Sequence, residues 1–302
     1  MTEILQQLIN GLALGAIYAL IAIGYTMVYG ILRFINFAHS DVLMLGAFAA
    51  YFLAPAVQRG AGASPLSAIL IVVFAAAICA VIGMLIEYLA YRPLRERPRL
   101  TVLITAIGVS LFIEFTGQHK SVFGANTKPF PMLLPESTIK IGNASMQSTD
   151  LVILVFTLVL LVALWAIVRH TKAGLAMRAV SFNDKAALLM GVNLNRVISF
   201  TFALGSALAA IAGIFYAMRS PGIDPLMGMK PGLYAFVAAV IGGIGNLPGA
   251  ALGGLLLGML ETFAGGIPGL SNYRDGIAFA ILILILLFKP AGLLGRLQPE
   301  KV

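Results

Sequence analysis

The chain has 302 residues, of which 60% are hydrophobic and only 11% charged, with a mean hydropathy of +0.98; soluble domains carry about 25% charged residues. That leaves too little polar surface to clothe a water-soluble globule. The net charge of +8 does not point to nucleic acid, because in a membrane protein the placement of Lys and Arg matters more than their sum.

Crossing the hydrocarbon core takes roughly 20 apolar residues as a helix, at about 1.5 Å rise per residue through about 30 Å. The first ten residues lack the positive segment of a secretory signal and lead into an apolar run too long for a signal's core, so they are expected to stay as the first membrane helix. In chain order the stretches 4–32, 42–57, 60–86, 100–117, 151–168, 197–218, 231–260 and 272–288 qualify as spans. The expected fold is therefore all-α: one domain over 1–302, a polytopic transmembrane helix bundle of about eight membrane segments. Glu114 and Arg274 lie near span ends and are expected to snorkel, since a charge at a helix centre costs about 2.5 to 3.5 kcal/mol. Glu87 and Glu261 also sit near the ends of apolar stretches, where snorkelling is a simpler account than proton coupling. Cys79, the single cysteine, has no partner for an intramolecular disulfide.

Cytoplasmic loops collect basic residues. Arg92, Arg95, Arg97 and Arg99 crowd one connection, and Arg169, Lys172, Arg178, Lys185 and Arg196 mark the segment 170–196; both are expected in the cytoplasm. The loop 118–149 between them, with residues 55–65, 218–232 and the N-terminus, is then extracytoplasmic. Lys289, Arg296 and Lys301 would draw the C-terminus to the cytoplasm, which simple alternation over eight spans contradicts. At least one segment is therefore expected to be broken or re-entrant, and 231–260 is chosen because Gly242-Gly243-Ile244-Gly245-Asn246-Leu247-Pro248-Gly249 interrupts it. Broken helices are tolerated at membrane depth only where protein or a polar cavity satisfies their backbone, so the break points to a pathway.

Segment 170–196 is too polar to span. Ser181 followed by Asp184 reads as a helix start and Gly191 as its stop, giving a helix of about nine residues beneath the membrane. It could lie on lipid or dock into a partner through spaced apolar anchors. The polar cluster Asn36, His39, Ser40 and Asp41 is a candidate pathway element if buried, or an interfacial turn whose Asp41 is favoured by a helix dipole. His39, His119 and His170 show no metal-ligand spacing. Gly245, Gly249 and Gly253, Gly254 and Gly258, and Gly11 and Gly15 recur every four residues, a spacing that lets helices approach closely, whether for packing, a subunit interface or a pathway.

Lys185-Ala186-Ala187-Leu188-Leu189-Met190-Gly191 resembles a degenerate EAA-xxx-G loop of ABC importer permeases. Together with Tyr25-Thr26-Met27-Val28-Tyr29-Gly30, Ile35-Asn36-Phe37-Ala38-His39, Ala90-Tyr91-Arg92-Pro93-Leu94-Arg95, the glycine run 242–250 and Lys289-Pro290-Ala291-Gly292-Leu293-Leu294-Gly295-Arg296, it makes the chain similar, over essentially its whole length, to the LivH-type permeases of bacterial branched-chain amino acid transporters. Two departures stand out: Ser40-Asp41 where the family commonly has Gly-Glu, and Lys185 in place of the motif's Glu. The resemblance implies a multi-pass permease subunit of the bacterial inner membrane, working with a second permease of LivM type, two cytoplasmic ABC ATPases and an extracytoplasmic solute-binding protein. ATP and magnesium would sit on the ATPases, and this chain contains no G-x-x-x-x-G-K-[ST] phosphate loop. It implies a coupling helix formed by Ser181, Asp184, Lys185, Ala186, Ala187, Leu188 and Gly191, and a pathway near Asn36, His39, Ser40, Asp41, Gly242, Gly243, Gly245 and Asn246. The rival classes are an ion-gradient-driven carrier and a passive channel for small solutes such as urea or amides.

Overall fold

The computed structural model describes residues 2–59, 62–135, 137–141, 144–269 and 271–295. Helices dominate because, in hydrocarbon, each peptide group must find its hydrogen-bond partner within its own segment. In chain order they are α1 (Thr2–Leu32), α2 (His39–Gln58), α3 (Pro65–Ile86), α4 (Arg99–Gln118), α5 (Ser148–His170), α6 (Lys172–Phe182), α7 (Asp184–Leu189), α8 (Leu194–Arg219), α9 (Met229–Gly242), α10 (Leu247–Gly266) and α11 (Arg274–Phe288). Two short antiparallel pairs join them: β1 (Lys128–Pro129) with β4 (Gly222–Ile223), and β2 (Thr138–Ile141) with β3 (Ala144–Gln147). Among the described residues eight helices are long and apolar enough to cross a membrane. α3 runs on past Ile86 through a widened turn at Glu87–Tyr91.

The expected spans appear at their expected places, with one change. The interrupted stretch is two helices: α10 has the full length, whereas the 14 residues of α9 reach only about 21 Å at 1.5 Å per residue. Gly243 and Gly245 hold the break between them at φ of +105° and +93°, a region that a residue with a side chain rarely adopts. Asn246 then caps α10, its Oδ1 accepting from the Gly249 amide at 3.4 Å.

This arrangement removes the parity conflict at the C-terminus. The Leu293 and Leu294 amides bond the carbonyls of Ile241 and Gly242, so residues 289–295 and the break lie together, while the far end of α10 reaches Gln7 of α1. All eight long helices keep the length to cross, and α9 supplies an additional, shorter leg. Arg296 and Lys301 lie outside the described residues. The loops group as the charges suggested. Gln58 donates to the Met132 carbonyl at 2.9 Å, Gln6 to that of Ser145 at 2.8 Å, and β1 pairs with β4, all at one end. At the opposite, basic end, Arg95 meets Asn195 at 2.7 Å and Asn246 donates to the Leu294 carbonyl at 2.7 Å.

α1 is the stem of the bundle, with Ala16, Ile17, Leu20, Ile21 and Ile23 exposed by 2% or less. It packs most extensively on α10, and the recurring glycines make that contact possible. A Cβ on Gly15 would sit 2.8 Å from Leu255 Cα, and one on Gly258 or Gly254 would run into the backbone of Gly15 or Ala19. Gly253 and Gly249 face α9 in the same way. The recurring glycines therefore serve contacts within this chain, except Gly245, where an added Cβ would meet nothing within 4 Å. Outer faces such as Leu158, Val159 and Val162 of α5, or Ile283 and Leu287 of α11, are apolar and exposed, suited to lipid.

Gly258→Val should lower stability by about 1–3 kcal/mol through overpacking, read as an earlier thermal unfolding in detergent. Gly108→Ala, on α4 with nothing within 4 Å of an added Cβ, should show no such loss.

Candidate translocation and coupling site

After α1 the chain turns at Arg33, whose φ of 54° makes it the one described non-glycine residue in the left-handed region, and residues 34–38 lead into α2. Of the polar run that follows, Asn36, His39 and Asp41 are buried and Ser40 is half-buried. Asn36 accepts a 2.6 Å bond from the Tyr91 hydroxyl, and Tyr91, fully buried in the widened turn after α3, is held between Phe34 and Phe202 with ring centroids 5.2 and 5.6 Å away. His39 is 1% exposed and lies 4.7 Å from the Tyr25 ring. It presses on Gly24, where any Cβ would overlap the imidazole. Its Nε2 has no hydrogen-bond partner among the described residues. The Ser40 hydroxyl donates to the Phe37 carbonyl at 2.9 Å, and Gly228 and Gly232, at the start of α9, rest against Ser40. Asp41, also 1% exposed, does occupy the first turn of α2, as a dipole-favoured acid would, and it faces Ser110 and Glu114 of α4.

Gly242, Gly243, Gly245 and Asn246 are elsewhere, at the basic end. The eight expected pathway residues thus form two groups, bridged by α9, whose first turn touches Ser40 and whose last residue is Gly242.

Snorkelling fails for three acids. Glu87, Glu114 and Glu261 are all buried, and partners inside the bundle make burial tolerable for Glu87 and Glu261. Glu87 forms an ion pair with Arg95 and accepts from the Ser199 hydroxyl at 2.5 Å. Glu261 accepts from the Tyr18 hydroxyl at 2.7 Å, and Glu114 meets Asp41. Arg274, at the start of α11, is exposed as expected. Burial pulls the Arg95 guanidinium below its ordinary value, and the Glu87 carboxylate opposes that shift. Among the described residues no group of three or more His, Cys, Asp or Glu gathers as a metal site would require.

The element expected at 181–190 is present in altered form. Its helix, α7, has six residues, Asp184–Leu189, and Asn183 caps it, with Oδ1 accepting from the Ala186 amide at 3.0 Å. Ser181 is no cap; it closes α6, and its hydroxyl donates to the Gly30 carbonyl of α1 at 2.5 Å. Asn183, extended at φ −155° and ψ 108°, separates the two helices and shortens the second. Asp184 accepts from the next amide, that of Lys185, at 2.8 Å. Gly191 ends the element at φ +83° with its amide on the Leu188 carbonyl. Ala187 is buried, Lys185, Ala186 and Leu188 are exposed, and Leu189 and Met190 stand 87% and 83% exposed at the tip. The result is a foot, α6–α7, with an apolar sole at the basic end.

Residues 7–286 match the family model described as branched-chain amino acid transport system / permease component. The high-affinity branched-chain amino acid transport system permease protein BraD of Pseudomonas aeruginosa is 43% identical over 305 residues, covering 99% of this chain and 98% of its own. The corresponding permease protein LivH of Escherichia coli K12 is 40% identical over 304 residues, covering 99% and 97%. The ribose import permease protein RbsC of Escherichia coli is 31% identical over 133 residues, 42% of this chain and 41% of its own. No solved structure matches.

Removing one partner of a buried ion pair costs about 3–5 kcal/mol, whereas replacing both with apolar groups is often neutral. Arg95→Met should therefore unfold at clearly lower temperature than wild type, and Arg95→Met/Glu87→Met should recover most of the loss.

Proposed function

The chain belongs to the family of branched-chain amino acid transport permease components, and from that premise we propose that it is the membrane-spanning permease of an ATP-driven importer that brings leucine, isoleucine and valine across a bacterial inner membrane. The α6–α7 foot carries this reading. An exposed pair such as Leu189 and Met190 at the end of a short capped helix is what a groove on a cytoplasmic partner would take, and the partner proposed is one of two ABC ATPases. ATP and magnesium stay on those subunits; this chain neither binds nor hydrolyses nucleotide.

In this scheme the basic end faces the cytoplasm. The end bearing β1–β4 and β2–β3 receives solute from an extracytoplasmic binding protein, and a second permease of LivM type completes the pathway. Movement of the ATPases shifts the foot, and Ser181 passes that shift to α1 through its bond to Gly30. The break at 243–246 lies beside Gly30, and α9 links it to Ser40 at the head of the buried polar run. Asn36, His39, Ser40 and Asp41 are proposed to line the inner part of the pathway, with the break as its exit. The ATPases can drive the change only by binding two states of the permease pair with different affinity, and the foot is where that difference acts.

Leu189→Glu/Met190→Glu alters only solvent-facing side chains, so the protein should insert and accumulate normally while ATP-driven leucine uptake falls at least about tenfold, a coupling loss of ~1.4 kcal/mol or more. Gly191→Pro should do the same, since proline cannot adopt the positive φ and lacks the bonded amide. Unaltered uptake in both variants would remove the foot from the mechanism.

A further inference from the structure

α5 and α10 both lean on α1, and towards the basic end a cavity of about 410 Å³ is left between them. Leu161, Val162 and Trp165 of α5 form one wall, Pro248 and Ala251 of α10 the other, and Ile23 of α1 the floor. Among the described residues the Trp165 indole brings the one polar side-chain atom to this lining. Val162 and Trp165 stand 57% and 43% exposed at its lip, on the outer face of α5. A gap of this kind lacks contact atoms on one side and forfeits dispersion attraction, and water would find no hydrogen bonds in it. Hydrocarbon fills it without either loss.

The groove has a charged rim. Trp165 is the single tryptophan of the chain and lies near the basic end of α5, where an indole suits the boundary between hydrocarbon and water. The Arg169 guanidinium sits over its ring, 5.3 Å from the centroid, and the His170 ring meets it edge-on at 5.3 Å. Stacking holds the guanidinium plane and leaves its N–H edge for a paired bond to phosphate. Arg178 is engaged with the Val168 and Arg169 carbonyls, whereas Arg169 and Lys172 are exposed and form no ion pair among the described residues. No Asp or Glu occurs between positions 151 and 183 or between 225 and 260, so both walls and the rim lack an acidic side chain of their own.

Apolar groove, boundary indole and unpaired cations stand in the same order as the parts of a phospholipid. We propose that this groove holds one anionic phospholipid, with an acyl chain between α5 and α10 and the phosphate on Arg169 and Lys172. A zwitterionic phospholipid carries its own cation beside the phosphate and gains less from this rim, so the site selects phosphatidylglycerol over phosphatidylcholine. The bound lipid ties α5 to the start of α10, immediately after the glycine break, two elements that otherwise meet chiefly through α1. The proposal depends neither on the solute carried nor on the source of energy.

The test uses the full-length chain reconstituted in phosphatidylcholine vesicles, with part of the lipid replaced by phosphatidylglycerol or phosphatidylcholine brominated along its acyl chains. Bromine quenches tryptophan fluorescence on contact, and Trp165, with no second tryptophan in the chain, reports on the groove. Brominated phosphatidylglycerol should quench with an apparent affinity at least about fivefold above that of brominated phosphatidylcholine. Arg169→Gln/Lys172→Gln should erase that preference while keeping the reporter. Ala251→Leu, whose longer side chain occupies the groove, should erase it too, with the rim intact. Should either variant fail to fold, the comparison of the two lipids on the wild-type chain still decides the matter. Equal quenching by both lipids would reduce the groove to ordinary bilayer contact. Quenching by neither would mean that protein covers it, a second copy of the chain included, and a preference retained by both folded variants would place the lipid elsewhere. Each of these three results overturns the proposal.

Discussion

The contact between α1 and α10 is the constraint on which the rest of the bundle depends. Lipid tails are as apolar as leucine, so helices in a bilayer gain little from burying hydrophobic surface against one another; close backbone approach and polar bonds must hold them. Gly15, Gly254 and Gly258 supply the first, with backbone where side chains would otherwise stand. Tyr18 and Glu261 supply the second, as a 2.7 Å bond across the same pair of helices that fixes their register. The other elements are positioned relative to this stem. α9 packs on α10 through Gly253 and Gly249, and the foot is tied to the stem where Ser181 bonds Gly30 and Arg33 donates to the Ser181 carbonyl at 3.4 Å.

Polar groups in the membrane interior are treated in two ways. Glu87 and Glu261 are satisfied by Arg95, Ser199 and Tyr18, and they act as ties between segments. The run from Asn36 to Asp41 differs: Tyr91 serves Asn36, but His39 keeps an unpaired Nε2, and Asp41 faces a second carboxyl, that of Glu114. Such incomplete pairing is costly inside a bilayer and is expected where a path or a moving contact needs it. That contrast within one molecule is the physical support for placing the inner pathway there.

The spans and the glycine break were readable from the sequence because they depend on local quantities, namely the length of an apolar run against the bilayer and the left-handed backbone that Gly243 and Gly245 supply. The foot was readable in outline as a short helix, since the segment is too polar to span and Gly191 marks its end. Its start was not. Ser181 and Asn183 are both good caps, and a contact with Gly30, 151 positions away, takes Ser181 out of the competition. The buried acids went unrecognised for the same reason: Tyr18 and Glu261 are 243 positions apart, and Ser199 and Glu87 are 112 apart. Nothing near Tyr91 in the chain points to Asn36. The short α9 was hidden because a half-length helix and half of an interrupted span have the same composition.

The central claim is that energy from nucleotide hydrolysis on a separate subunit reaches this bundle through its foot. Leucine uptake into vesicles carrying the complete transporter, with ATP supplied on the foot side and proton and sodium gradients dissipated, tests it most directly. Uptake should continue under those conditions and stop when ATP is withdrawn. Uptake that collapses with the gradients while ATP is present, or that this chain sustains in vesicles lacking the ATPases, would contradict the claim.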